Sequence, residues 1–381
     1  MKTYTEHLVF VAHEMTPNIT PVLDRRMKAK KVWIAHTLNM LENAQRLESI
    51  YKNHHLNVSF ISLSNAFDAQ SLISELYDAI RARNIDTDSL AINISCGTKI
   101  TAVAAVKAFE NTQAGIYYLL PNDDLDWVQP SAQPVINVED NIKLDEFLSA
   151  HGIDCIHVEK LTPAQAEFKE NVVRDILEVI IENNALDDYQ QFSKNLYHPR
   201  PNQILSITKD QPKMLRFLQR IEQHGYIRLV ARPSFFKVKN RLDVSQKRFF
   251  HGGWLEYLAY RNVKALKQSI PQIQDVALSL RSENGKTRDE VDVIFLCNNQ
   301  LFIIECKTGG SSNNNLHIQR LDSLKKRLGG VLSHAMYLTN NDIHPDGGDA
   351  HKASTLGVAY LGRPHLKDLQ SHIRDWILSK L

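Results

Sequence analysis

The sequence predicts an α/β protein built from three successive units, and three observations lead there. Over the first 140 residues, short apolar runs alternate with longer amphipathic ones. From about Thr162 the strand pattern stops and helical periodicity takes over. Beyond Ser245 strands return, and one run, "EVDVIFLCNNQLFIIECKTGG" over 290–310, sets Asp292, Glu305 and Lys307 among Val, Ile, Phe and Leu. Charge in such surroundings is costly unless it is paired or put to use.

In the first unit, "HLVFVA", "KVWIA", "NVSFISL", "LAINIS" and "GIYYLLP" read as strands near 7–12, 31–35, 57–63, 90–95 and 115–121. "TLNMLENAQRLESIYKNHH" and "DAQSLISELYDAIRARN" read as helices between them. Strands that are apolar almost throughout, alternating with helices, imply a parallel sheet covered on both faces, a doubly wound arrangement. In the middle, "AQAEFKENVVRDILEVIIENN" and "QPKMLRFLQRIEQHG" are amphipathic helices, and "YIRLVARPSFFKVKN" reads as a basic two-stranded ribbon. That succession is winged-helix-like, and such a unit serves about equally as a structural bridge or as a reader of nucleic acid. The third unit opens with the helix "GGWLEYLAYRNVKALKQ", then strands near 273–280, 290–297 and 301–307. A Ser/Asn/Gly loop (308–315), the helix "LHIQRLDSLKKRLG", strands near "VLSHAMYLT" and "GVAYL" and a closing helix complete it. The units span 1–145, 160–242 and 245–381.

Composition narrows the function classes. No apolar run reaches the roughly 18 residues a membrane helix needs, and the first 15 residues read as a strand, not a signal peptide. The four cysteines lack C-x-x-C spacing, so zinc is not expected, and reduced thiols in a cytoplasm are the simplest reading. From Ser245 onward there are 18 Lys and Arg against 13 Asp and Glu, a basic bias that suits a polyanion. The dinucleotide-binding Gly pattern is missing after the first strand, where the chain reads "AHEMTPNIT", and no P-loop lysine motif occurs.

The charged hairpin can be put in register. If Asn298 and Asn299 form a two-residue type I′ turn, which needs φ > 0 at both positions, Cys297 pairs with Gln300. Stepping back along both strands sets Asp292 opposite Glu305, with Cβ atoms roughly 4.5–5.5 Å apart. Lys307 shares that face and Cys306 points away. Two carboxylates so close repel each other unless a cation sits between them. Hard oxygens without His or Cys select Mg²⁺ or Mn²⁺; the alternative is a plain salt bridge from Lys307. In the first unit, "NISCGTKITAVAA" after the fourth strand places Gly97 at a tight turn, Thr98 at a helix cap and Lys99 beside them. Free N–H groups there suit a phosphate.

Asp292 followed by Glu305-Cys306-Lys307 on the next strand resembles the PD-(D/E)XK, or restriction-endonuclease-like, superfamily, with Val291 where the family name has Pro. The resemblance implies a cation held by Asp292, Glu305 and the Cys306 carbonyl, with Lys307 orienting the attacking water or stabilising charge on phosphorus. It nominates Glu256 of "GGWLE" as a third acid and metal-shell residue, and Gln319 of "IQRL" as a further catalytic residue.

Joined to a Rossmann-like unit with a G-T-K turn, this is similar over essentially the whole chain to the CRISPR-associated Rossmann-fold (CARF) nucleases with a single CARF domain. That resemblance implies homodimers that bind cyclic oligoadenylate, typically the tetra-adenylate, and then cut single-stranded RNA and DNA and nick supercoiled duplex. Gly97, Thr98 and Lys99 match the phosphate-gripping turn, with Cys96 where the family usually has a second Gly. Thr16, Asn18 and Thr37 are ligand candidates by location. Two other readings stay open: a ligand-independent restriction- or repair-type endonuclease with a scaffold first domain, and a non-enzymatic nucleic-acid-binding regulator.

Overall fold

The computed structural model describes residues 2–182, 184–199, 205–284, 287–309, 314–330 and 332–381. Its first unit alternates β1 (Glu6–Phe10), α1 (Thr16–Leu23), β2 (Lys31–Thr37), α2 (Leu41–Asn53), β3 (Asn57–Leu63), α3 (Ala69–Ala82), β4 (Leu90–Asn93), α4 (Lys99–Phe109) and β5 (Gly115–Leu119). The strands form one sheet in the order β3-β2-β1-β4-β5, all parallel. The short antiparallel strands β6 (Asp124–Gln129) and β7 (Ile136–Asn137) extend it. Strand order reverses between β1 and β4, the point where open α/β sheets form a crevice at their carboxyl ends.

One sheet face packs Leu8, Ile92 and Ile116 against Leu72 and Leu76 of α3 and Ala104, Ala105 and Ala108 of α4. The other face carries Val9, Val32 and Ile34 and is covered by α1, by α2 and by α5 (Leu144–Ala150). This second core does not stop at the first unit. It runs on into Ile294, Leu296, Leu301 and Ile303, so sensor-side and hairpin-side apolar surfaces form one cluster.

After β8 (Asp154–His157) come α6 (Pro163–Leu177), a π-helical turn, α7 (Leu186–Tyr197), β9 (Ser206–Thr208), α8 (Pro212–Gln223), β10 (Ile227–Ala231) and β11 (Phe235–Asn240). The expected two-stranded ribbon has a third strand, in the order β10-β11-β9. The short β9 carries too few apolar residues to stand out in sequence. Thr162 caps α6 with a reciprocal Gln165 contact, the pattern that fixes helix starts.

The last unit comprises α9 (Val244–Arg248), a π-helical turn, α10 (Trp254–Leu266), β12 (Ile273–Asn284), β13 (Thr287–Cys297), β14 (Gln300–Lys307), α11 (Asn314–Gly329), β15 (His334–Thr339), α12 (Gly348–Thr355), β16 (Val358–Leu361) and α13 (Leu369–Leu378). Its mixed sheet runs β16-β15-β14-β13-β12-β8. The linker strand β8 thus closes an edge that sequence reading assigned to no sheet; Arg281 pairs with His157 and Ser282 with Cys155. Residues 310–313 of the expected Ser/Asn/Gly loop lie outside the described residues, and Asn314 already belongs to α11. The middle unit shares a core with α10 and α13 on the opposite face of this sheet, around Phe217, Phe250, Trp254, Phe302 and Ile373. Among the described residues no helix is long and apolar enough to cross a membrane.

Candidate functional site

Asn298 and Asn299 both adopt positive φ, 51° and 55°, as a type I′ turn requires. Cys297 pairs with Gln300, and the antiparallel register runs through to Val293 opposite Ile304. The next step sets Asp292 across from Glu305. Lys307 reaches both, with Nζ 2.5 Å from Glu305 Oε1 and 3.9 Å from Asp292 Oδ2. The Cys306 backbone N–H donates to Asp292 Oδ2 at 2.7 Å. Cys306 itself packs with Val293 and Ile304 in the core on the other face.

Electrostatics follow from this crowding. Burial, with Glu305 and Glu256 adding repulsion, pushes the Asp292 carboxyl well above its ordinary range despite Lys307. Burial raises Glu256 too, against the attraction of Arg248, Lys307 and Lys169. Burial acts against the charge of Lys307, yet Asp292 and Glu305 more than offset it and hold the ammonium protonated. Glu256 starts α10 and takes a 3.4 Å hydrogen bond from Ser279 Oγ.

Among the described residues no three acids, histidines or cysteines form a ready cage for an ion; the Lys307 ammonium fills the space between the two acids. The donor set nevertheless fits Mg²⁺ or Mn²⁺. Such ions commonly keep several waters and bind through one or two carboxylates, so a full protein cage is not required. Asp292 and Glu305 could hold one, with the Cys306 carbonyl on the same strand and Glu256 near enough to raise the Asp292 pKa.

Among the described residues Gln319 makes no hydrogen bond to this group. It is exposed on α11, whose buried face carries Ile318, Leu321, Lys325 and Leu328. The α11 residue near the cluster is His317, whose pKa is lowered by burial and by Lys307 and which stacks on Tyr337 at 6.4 Å. Sequence reading missed it because the rotation of a helix about its axis depends on what it packs against.

At the carboxyl ends of the first sheet, a cavity of about 300 Å³ is lined by His13, Thr37, Asn39, Phe67, Gly97 and Thr98, among others. Gly97 has φ +91°, and an added Cβ would lie 3.3 Å from Thr101 Cβ. Thr98 Oγ1 accepts from Thr101 N and donates to Ala66 O, holding the turn in place. Gly97→Ala is expected to cost about 1 kcal/mol of stability through strain at positive φ; a melting curve indistinguishable from wild type would contradict the strain.

Lys99 is exposed in the first turn of α4 and is not part of the cavity wall. Two location-based candidates lie outside this cavity wall. Asn18 is fully buried and its amide is spent inside the fold, donating to Phe10 O and accepting from Asn93. Thr16 lines a different cavity.

That second cavity, about 170 Å³, lies between the two halves. Glu14, Thr16 and Ser95 face it from the first sheet, and Asn298, Asn299 and Gln300 from the charged hairpin. Two loops therefore touch both cavities: His13 and Gly97 on one side, Glu14 and Ser95 on the other. Cys96 ties them together, its thiol donating to Glu14 O at 3.3 Å. Across the junction Asn299 Nδ2 donates to Asp123 Oδ2 at 3.0 Å, and Gln274 brackets Asn299, its Nε2 donating to Asn299 Oδ1 and its Oε1 accepting from Asn299 N–H.

Comparisons with known proteins match two stretches of the chain. Residues 7–147 match the family model described as the Card1 CARF domain, and residues 237–380 that described as the Card1-like endonuclease domain. Among solved structures, protein VC1899 from Vibrio cholerae is similar at TM-score 0.83 and 23% identity, over 98% of each chain. Can2 from Sulfobacillus thermosulfidooxidans, solved with cyclic tetra-adenylate, is similar at 0.76 and 18% identity, over 98% of this chain and 99% of that one. A Type III CRISPR defence DNA nuclease activated by cyclic oligoadenylate follows at 0.59 and 14%, over 95% of this chain and 48% of that one. At these identities the likeness is one of fold. Curated proteins return no sequence match.

Proposed function

Because this chain belongs to the Card1-like family of CARF-domain endonucleases, we propose that it is a metal-dependent nuclease switched on by a cyclic oligoadenylate, with cyclic tetra-adenylate as the expected activator. The observation that carries the nuclease reading is Lys307 reaching two facing carboxylates at a strand end. A buried acid whose pKa is raised by burial and by neighbouring carboxylates, as Asp292 is, stores unfavourable energy, an arrangement characteristic of functional sites. A Mg²⁺ or Mn²⁺ ion at Asp292 and Glu305 supplies a polarised phosphate oxygen and a water of lowered pKa. The protonated Lys307 stabilises the charge that builds on phosphorus. Glu256, held by Ser279 and with its pKa raised by burial, is placed to hold water or hand on a proton at its carboxyl oxygen.

Sensing rests on the cavity at the switch point of the first sheet. Thr98 lines it as the cap of α4, whose N-terminal backbone N–H groups suit phosphate. Leu38, Phe67, Ile100 and Val103 are exposed on the bordering segments. A second copy covering them would form an isologous dimer, and a symmetric cyclic ligand fits such a two-fold axis. The loops that touch both cavities provide a route from ligand to hairpin. The substrates are single-stranded RNA and DNA and, by nicking, duplex, in the cytoplasm and within type III CRISPR antiviral defence.

The test is cleavage of labelled RNA and plasmid in Mn²⁺, with and without cyclic oligoadenylates of different ring size, beside a Glu305→Ala control. Cutting that needs both the ligand and Glu305 is expected. Full cutting without ligand would instead support the restriction- or repair-type endonuclease reading.

A further inference from the structure

A polar cavity lies immediately beyond Lys307. It encloses about 390 Å³, and its walls include Gln190, Gln191 and Lys194 of α7, His251, Thr308 and Asn340. It is built onto the catalytic strand end: Asn340 N donates to Lys307 O at 3.4 Å, and Thr308 Oγ1 donates to His251 O at 2.9 Å. His251 stands in the turn that leads into α10 and Glu256. The segments carrying the acid cluster therefore also form this cavity.

Part of its polar lining is left unsatisfied. Asn340 is fully buried, yet among the described residues neither its Nδ2 nor its Oδ1 has a hydrogen-bond partner. His251 Nδ1 is likewise buried and unpartnered. Burial, aided by His198 and Lys194, lowers the His251 pKa, so the ring is neutral at pH 7. Buried polar atoms are almost always paired, and each exception calls for a cause. Here three such atoms belong to residues of one cavity. The charged lining is balanced, one Asp187 against one Lys194, which suits neither a bare phosphate nor a cation. Amides with an adjacent free donor and acceptor suit a neutral planar guest carrying the complementary pair.

We propose that this cavity receives the base of the nucleotide flanking the bond to be cut, and that Asn340 reads its edge. The inference rests on the nuclease reading above. An Asn amide offers a donor and an acceptor that match adenine N7 and N6. Single-stranded nucleic acid splays its bases out, which makes such edge reading possible. A strand rises about 3.3 Å per residue, so a pocket one residue past Lys307 lies within reach of the nucleotide next to the scissile phosphate.

The experiment cuts randomised single-stranded RNA and DNA pools with the full-length, ligand-activated protein in Mn²⁺ and sequences the ends. Adenine is expected to be enriched at one flanking position by at least about fivefold, the lower bound for one bidentate base contact. Asn340→Ala is expected to flatten that enrichment. Asn340→Asp, which keeps the shape but only accepts, is expected to move it toward cytosine, whose N4 amine presents a donor. Even base frequencies in the wild type, or an enrichment unchanged in both variants, overturn the proposal and leave the nuclease reading standing. A wild type that cuts neither pool overturns both.

Discussion

Asp292→Asn is expected to lower cleavage by at least about 10²–10³-fold, the usual cost of removing one group that stabilises transition-state charge, and at the same time to raise the melting temperature of the metal-free protein. Both effects have one cause. The Asp292 carboxyl is buried beside Glu305 and Glu256, which pushes its pKa well above that of an ordinary carboxyl. The unfolded chain ionises that group near about pH 3.9, whereas the native state keeps the proton to higher pH. The native state binds more protons, so stability is fully present below the unfolded value and is eroded as pH rises through the folded one. An amide keeps the shape, and its oxygen can still accept from Cys306 N–H, but it carries no charge. A gain of about 2 °C or more is the corresponding shift for each kcal/mol relieved in a large domain. Thermal melts at pH 5 and pH 8, run beside single-turnover cleavage, measure both. Wild-type cutting by Asp292→Asn would end the catalytic assignment, and a lower melting temperature at pH 8 would end the account of stored repulsion.

Asn299→Gly is expected to uncouple the two halves. Ligand coupling between sites commonly amounts to about 5–150-fold, and the variant is expected to bring the activation ratio close to unity while ligand binding persists. Glycine tolerates the φ of 55° at this position, so the turn and the hairpin register survive. What is lost is the amide that donates to Asp123 and accepts from Gln274. The activation ratio with and without cyclic tetra-adenylate, together with ligand affinity by calorimetry, separates the two effects. Retention of the full ratio would remove this joint from the route. The joint also titrates. Burial, against the Asn299 hydrogen bond and with Asp140 and Asp124 nearby, raises the Asp123 pKa to about 7. Stability tied to its protonated form is therefore present below about pH 4 and is lost as pH rises through 7. Asp123→Asn is expected to flatten that stretch of a melting-temperature profile.

The charged hairpin was legible because its determinants are local. A side-chain period of two and a turn that tolerates positive φ at Asn298 and Asn299 fix which residues face each other, whatever surrounds them. Gly97 and Thr98 were legible for a similar reason: a strand end, a positive-φ glycine and a helix cap are adjacent in the chain. Asn18 and Thr16 were not. They lie two residues apart at the start of α1, and only packing decides that one is sealed beneath Phe10 and Asn93 while the other faces the hairpin. Gln319 and His317 differ in the same way, by the rotation of α11 on its sheet.

The linear order of residues thus determined the α/β class, the succession of units, the facing of Asp292 and Glu305 and the phosphate-suited turn, all set by periodicity and backbone geometry within a few residues. Only the tertiary structure decided that β8 completes the second sheet, that Asn299 docks on Asp123 and that Asn340 is buried beside Lys307. Those outcomes depend on groups more than thirty and up to 176 positions apart coming into contact. No local pattern encodes such distances, and they emerge only when the apolar surfaces of both halves close into a shared core.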